Sequence, residues 1–341
     1  MGMDPRGFPT SLPEFQEAFP SEEACAAYLE HVRWPAGFIC HACGLVAEPY
    51  RFARRASVVL RCRACGNDTS LTAGTVMQGS HTPICTWFWA AYLVTTSTPG
   101  MSALQFQRQV GINRYETAFQ MLHKLRAGLV NPDRDPIGGQ YPVEIDESLV
   151  GGRTRGEGRG VHHMAGIIGA VEVRQRQPHE ERAAHGRQEH ARGIPLKLRT
   201  YAGRLRLAVI PNRYQSTLED FIINNVTLGS TVRTDGWQGY ARLRALGYAH
   251  EPVVVEADPE LLDSHLPMVH LVFSNLKTWL LGTHHGVSPQ HLQAYLDEFV
   301  FRFNRRFYPM TAFNSALGLA AHRVPPTYAQ VYHPECVCPS P

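Results

Sequence analysis

The stretch Val143-Glu144-Ile145-Asp146-Glu147-Ser148-Leu149-Val150-Gly151-Gly152 decides how this chain is read. Val143, Ile145, Leu149 and Val150 have the β-branched and apolar character of a buried strand. Adjacent carboxylates stand in its middle, and a charge inside such a strand needs a partner or a metal. Asp146 is therefore either a strand-end acid facing water or a metal ligand in a catalytic core.

The bulk numbers limit the choices. A length of 341 residues suffices for about two to three domains with a real hydrophobic core. With 44% hydrophobic and 18% charged residues, wholesale disorder is excluded. The net charge of +3 is small but unevenly spread, and local basic patches permit a polyanionic partner such as nucleic acid. No run reaches the roughly 18 apolar residues a membrane helix needs, and the first residues hold acids and prolines where a signal peptide has an apolar stretch. The expectation is a soluble, intracellular protein with no membrane partner.

Four of the eight cysteines fall in two C-x-x-C pairs, Cys40-His41-Ala42-Cys43-Gly44 and Cys62-Arg63-Ala64-Cys65-Gly66. In an intracellular chain this pattern speaks for metal, not disulfides. Thiolates three positions apart grip one tetrahedral Zn²⁺ from a tight turn, and the following glycine supplies unusual backbone angles. Strand-like Ser57-Val58-Val59-Leu60 leads into the second knuckle, as a zinc ribbon over residues 34–80 requires. His41 is read as an exposed neighbour, not a ligand. Such a ribbon folds around its metal, so the zinc is structural. Arg51, Arg54, Arg55, Arg61 and Arg63 give it phosphate-contacting capacity.

Ahead of the ribbon, residues 1–33 form a polar lead with one helix near Glu22 to His31, capped by Ser21. Behind it, residues 83–130 read as helical. Trp87-Phe88-Trp89-Ala90-Ala91-Tyr92-Leu93-Val94 is apolar all round and is expected to be a buried helix. Ser102 caps a second helix, with Gln105 at the box position. Gly111-Ile112 turns the chain, and Asn113 is expected to cap a third helix with Glu116 at the box position. Two short helices joined by a glycine turn make a helix-turn-helix whose second member enters a DNA major groove. Arg114, Tyr115, Lys124 and Arg126 are the DNA-binding side chains this predicts, with Gln120 and His123 also at hand.

Residues 131–142, rich in Pro, Gly and Asp, read as a linker. Strands are predicted at 143–148, 165–173, 204–210 and 230–234, and helices at 218–226, 240–246 and 291–306. Strands followed by alternating helix and strand indicate a mixed α/β sheet over 143–310. Residues 174–203 form a basic insert between the second and third strands, read as a mobile loop suited to a DNA backbone. Residues 311–341, with Cys336 and Cys338, read as a flexible tail. The strand Ser230-Thr231-Val232-Arg233-Thr234 delivers a second carboxylate, Asp235, followed by Gly236. Two such acids on strand ends suit a two-metal phosphoryl-transfer site.

At these residues the chain resembles the zinc-ribbon transposases of bacterial insertion sequences, of the ISXO and Merlin-like type. The resemblance runs through Trp34-Pro35, both knuckles, Ile145-Asp146-Glu147-Ser148, Thr234-Asp235-Gly236-Trp237 with Gly239-Tyr240, Leu276-Lys277, Gly282-Thr283-His284, and His291 to Arg306. It implies a ribonuclease-H-like DDE catalytic core and a polynucleotidyl transferase. Such an enzyme binds the terminal inverted repeats of its element, cuts with Mg²⁺ or Mn²⁺ and joins the freed 3′-hydroxyl to target DNA. It further implies a homodimer or higher oligomer on double-stranded DNA, in the bacterial cytoplasm and at the nucleoid. By the resemblance Asp146 and Asp235 are the first two metal-binding acids, and Lys277 is the lysine that holds a DNA phosphate. Members with a glutamate as third acid carry it seven positions before that lysine, where this chain has His270. Other branches use asparagine, and Asn275 stands two positions before Lys277. His270 and Asn275 both remain open as the third residue, with His265 a further contributor. A missing third acid leaves a second reading, a catalytically silent DNA-binding descendant.

Overall fold

The computed structural model describes residue 9 and residues 11–54, 57–131, 133–151, 164–176, 200–253 and 266–332. The chain divides into two compact units, Met1–Pro132 with Arg305–Pro341, and Asp133–Asn304.

The first unit begins with α1 (Leu12–Ala18) and α2 (Glu22–Arg33), each started by a serine whose hydroxyl accepts a first-turn N–H: Ser11 from Glu14 at 3.3 Å, Ser21 from Ala24 at 3.3 Å. Then come β1 (Tyr50–Arg54), β2 (Ser57–Arg61) and β3 (Asp68–Ser70), an antiparallel three-stranded sheet in the order β1-β2-β3. Helix α3 (Ile84–Thr96) buries Trp87, Phe88, Ala90, Ala91 and Val94, as its all-apolar sequence dictates. Its open N-terminal N–H groups are met by a side chain from far away in sequence: Ile84 and Cys85 donate to Glu22 at 2.6 and 3.0 Å.

Helices α4 (Ala103–Val110) and α5 (Tyr115–Gly128) form a hairpin closed by Gly111 in the left-handed region, φ 72°. Ser102 caps α4 through Gln105 N–H at 3.2 Å, as expected. Asn113 does not cap α5. The turn after Gly111 takes up Ile112 and Asn113, and the helix starts behind Arg114, which makes no side-chain cap.

The C-terminal stretch is not a bare tail. Helix α9 (Pro309–Ala321) sets Phe313, Leu317, Ala320 and Ala321 into the core around α3, with the Phe313 ring 5.6 Å from Phe15 and Val76 N–H donating to Ala320 C=O at 3.0 Å. These apolar positions recur at helical spacing and need a partner surface, which α2, α3 and α5 provide. A short α10 (Tyr328–Tyr332) follows. Cys336 and Cys338 lie outside the described residues.

The second unit is built on a five-stranded mixed sheet of order β6-β5-β4-β7-β8. Strands β4 (Val143–Gly151), β5 (Met164–Gln175) and β6 (Thr200–Ile210) are antiparallel neighbours. Strands β7 (Thr231–Asp235) and β8 (Ala249–Val253) continue the sheet in parallel. Helix α6 (Gln215–Asn225) packs Leu218, Phe221 and Ile222 on one face with Val143, Ile145 and Ile168. Helices α7 (Pro267–His284) and α8 (Leu292–Asn304) cover the other, with Val269, Val272, Phe273, Leu296 and Phe299 against Ile167, Val171 and Leu205. Period-two alternation thus sends 143 and 145 to one layer and 144 and 146 to the other.

Several sequence expectations change here. Residues 240–246 are not a helix: a single 3₁₀ turn, Gln238–Tyr240, runs into further turns that end at Gly247, φ 92°. The linker is partly structural, since Ile137 is fully buried and bridges to Val226. β5 and β6 extend into both ends of the basic insert, whose remaining residues 177–199 lie outside the described ones, as do Gly152 and His265. This mixed sheet flanked by helices fits a ribonuclease-H-like transposase core.

Candidate metal centre

The ribbon's two knuckles close alike. Gly44 N–H donates to Cys40 C=O at 2.8 Å and Gly66 N–H to Cys62 C=O at 3.0 Å, with both glycines left-handed at φ 70° and 71°. The turns bring four sulfurs within 4.8 Å of one another, with Cys40 Sγ 3.6 Å from Cys65 Sγ and Cys43 Sγ 3.7 Å from Cys62 Sγ. Four sulfurs at Zn–S distances of about 2.3 Å in a tetrahedron stand roughly 3.8 Å apart, so the site fits zinc. Backbone N–H groups of Cys65, then Ala64, pull the Cys62 thiol down to about 6, toward the thiolate a metal needs. His41 faces elsewhere, 3.1 Å from Thr69 Oγ1 and 3.4 Å from Asn67 Nδ2, which fits its reading as a neighbour.

The acidic centre lies at the end of the large sheet. Asp146 sits mid-strand on β4, Asp235 closes β7, and one carboxylate oxygen each from Asp146, Glu147 and Asp235 lies within 4.8 Å of the others. Asp146 Oδ1 accepts from Glu147 N–H at 2.8 Å, and Asp235 Oδ1 from Trp237 N–H at 3.1 Å, so both acids are fixed by local backbone. Burial raises the Asp235 carboxyl above its ordinary range. The Trp237 N–H opposes this and the Asp146 charge adds to it. Glu147 is also raised, first by burial, and Arg213 pulls it back through a contact of 3.1 Å with Oε2. Glu147 also faces the buried Tyr240 hydroxyl, which burial, and then the Glu147 charge, push well above its ordinary range. Converging hard oxygens with one cationic neighbour are a donor set that fits Mg²⁺ or Mn²⁺.

Glu147 is the member of this acidic cluster that the sequence alone does not single out. An ideal strand sends neighbours to opposite faces, yet an oxygen of each of these two acids comes within 4.8 Å of the other and of Asp235, where β7 ends. The adjacency of two acids was the available signal.

Helix α7 meets the centre through its first turn. Glu144, fully buried on β4, accepts from Met268 N–H at 2.7 Å and Val269 N–H at 3.0 Å. Those are the unsatisfied donors every helix start carries, here met by a carboxylate from the strand beneath. The next residue, His270, places Nε2 3.1 Å from Asp146 Oδ2. Asp146 pairs in register with Gly169, where a Cβ would come within 2.9 Å of the Phe273 ring; the missing side chain lets α7 lie this close. Asn275 and Lys277 are exposed further along α7.

The four DNA-binding candidates of the hairpin divide. Arg114 and Tyr115 are exposed. Lys124 is half-buried and donates to Gln78 C=O at 3.4 Å. Arg126 is only 1% exposed, which corrects its assignment as a DNA contact: α5 is covered on several sides, by α3, α4 and α9. No helix among the described residues is long and apolar enough to cross a membrane.

Two family profiles match the chain. Residues 136–304 match the ISXO2-like transposase domain, and residues 20–68 match the transposase zinc-ribbon domain. No curated protein and no solved structure matches it. With the carboxylate-bearing unit and the four-cysteine ribbon each matched in chain order, the chain belongs to the zinc-ribbon DDE transposases of the ISXO2-like group.

Proposed function

We propose that this protein binds the terminal inverted repeats of an insertion sequence, cuts the DNA there and joins the freed 3′-hydroxyl to a target. The observation that carries this is the convergence of Asp146, Glu147 and Asp235 within 4.8 Å at the sheet end. Asp146 and Asp235 would hold Mg²⁺ or Mn²⁺, with Glu147 as a further oxygen donor. Bound there, divalent cations lower the pKa of the attacking water or 3′-hydroxyl and neutralise the leaving oxygen. The chain's own part is geometric. Strands β4 and β7 fix the acids, His270 orients Asp146, and exposed Lys277, two turns along α7 from His270, reaches for a phosphate.

His270 is the third residue in this reading, not Asn275. Its contact with Asp146 supports the choice. Asn275 lies five residues on, rotated by about 140° around the helix, and is exposed. Arg114 and Tyr115 on the α4–α5 hairpin and the ribbon arginines are the proposed contacts to double-stranded DNA. Holding two element ends together calls for a dimer or larger assembly on DNA, acting in the bacterial cytoplasm and at the nucleoid.

The test uses full-length, zinc-loaded protein and a duplex made from the inverted repeats flanking its gene. Nicking and strand transfer that require Mg²⁺ or Mn²⁺ are expected. Binding without either reaction sinks the reading. It would favour the silent DNA-binding descendant, whose support is the absence of a glutamate two turns before Lys277.

A further inference from the structure

Trp237 is fixed in place yet left open. Its N–H is tied to Asp235 Oδ1 at 3.1 Å, and its indole Nε1–H points to Arg213 C=O at 3.5 Å. The ring edge lies close to Gly239, where an added Cβ would stand 2.8 Å from Nε1. The Arg213 guanidinium sits 4.9 Å from the ring centroid while pairing with Glu147 at 3.1 Å. Despite this anchoring the residue is 46% exposed, and the neighbouring Tyr214 is 72% exposed. An indole held rigid but wet, two residues from a carboxylate of the acidic centre, forgoes the burial a tryptophan ordinarily finds.

We infer that Trp237, backed by Arg213, is a stacking platform for a nucleobase flanking the scissile phosphate. Every base offers a π face, so stacking on an indole tolerates any sequence, and an arginine beside the ring adds a cation for the backbone. Successive bases rise by about 3.4 Å along a strand, so a phosphate at Asp146 and Asp235 places a neighbouring nucleotide within reach of a side chain two residues from Asp235. Rigidity is what such a platform needs, because an indole that is already ordered loses little entropy on binding. The inference rests on the transposase reading and adds to it a contact that supplies no metal ligand and no proton.

The experiment is a cycle with full-length, zinc-loaded protein and the flanking-repeat duplex. Trp237→Leu keeps apolar bulk without the π face, Trp237→Phe keeps a ring, and an abasic nucleotide is placed in turn at each position beside the cleavage point. Trp237→Leu is expected to cleave intact DNA roughly ten-fold more slowly than wild type, and Trp237→Phe within about three-fold of it. At one abasic position the difference between wild type and Trp237→Leu should vanish. Equal rates for wild type and Trp237→Leu on intact DNA overturn the platform, as does a deficit unchanged at every abasic position. If wild type cuts no DNA, the transposase reading falls and the platform with it. Cutting by wild type without the coupling removes the platform alone.

Discussion

His270 Nε2 stands 3.1 Å from Asp146 Oδ2, a contact between the first turn of α7 and the central strand of the large sheet. It ties an imidazole to a carboxylate of the acidic cluster. His270→Ala should lower DNA cleavage by roughly 10- to 100-fold, the usual cost of losing a group that orients a metal ligand. Asn275→Ala should stay within about three-fold of wild type. Cleavage rates of both variants, measured at equal DNA occupancy, decide between the two residues, and the reverse ranking would restore Asn275.

Glu144 holds the same helix turn by accepting from Met268 and Val269. Glu144→Gln keeps the shape but removes the charge that the helix start favours. A loss on the order of 1 kcal/mol is expected, read as a lower melting temperature. Glu144→Ala should lose more, because two buried N–H donors are then left without an acceptor. Unchanged melting in both variants would show that the cap contributes nothing.

The ribbon should depend on its metal. Cys43→Ser is expected to abolish stoichiometric zinc and to unfold the ribbon, seen by metal analysis and by loss of protease resistance across residues 34–80. Retained one-to-one zinc would contradict the four-cysteine site.

Asp297 on α8 offers a pH signature away from the acidic centre. Burial pushes its carboxyl up to about 6, against an ordinary 3.8, with Gln293 and Arg134 opposing the shift. An aspartate raised on folding favours the folded state when protonated. Its contribution is therefore full below the unfolded value and is lost as pH rises through about 6. Asp297→Asn removes that penalty, so at pH near 7 the variant should be more stable by on the order of 2 kcal/mol. Near pH 4 the difference should largely vanish. Urea melts at the two pH values check this, and a variant less stable at neutral pH would refute it.

How much of this could be read beforehand depends on whether the signal was local. The knuckles were fully legible, because Cys40, Cys43, Cys62 and Cys65 and the left-handed Gly44 and Gly66 sit in short, self-contained turns. Asp146 and Asp235 were legible as acids on strands. Other features were set by distant partners. Strand β8 is not marked locally because Ala249-His250-Glu251-Pro252 has no apolar alternation and only Val253, at its end, is β-branched; pairing with β7 makes it a strand. Helix α9 read as tail because Phe313 and Leu317 have no local partner; their core is α3, more than two hundred residues earlier. Arg126 looked available since a helix sequence shows which residues are polar, not how many neighbours cover them. The Glu144 cap likewise joins groups 124 and 125 positions apart, which no local pattern contains.

In the proposed function Asp146 and Asp235 form a metal-dependent cutting centre for DNA. The most direct measurement is cleavage of the flanking-repeat duplex by Asp146→Ala and wild-type protein, with binding followed in parallel by fluorescence anisotropy. The variant is expected to bind the duplex as wild type does but to cut it at least about 1,000-fold more slowly in Mg²⁺ or Mn²⁺. Cutting by Asp146→Ala at the wild-type rate would contradict it.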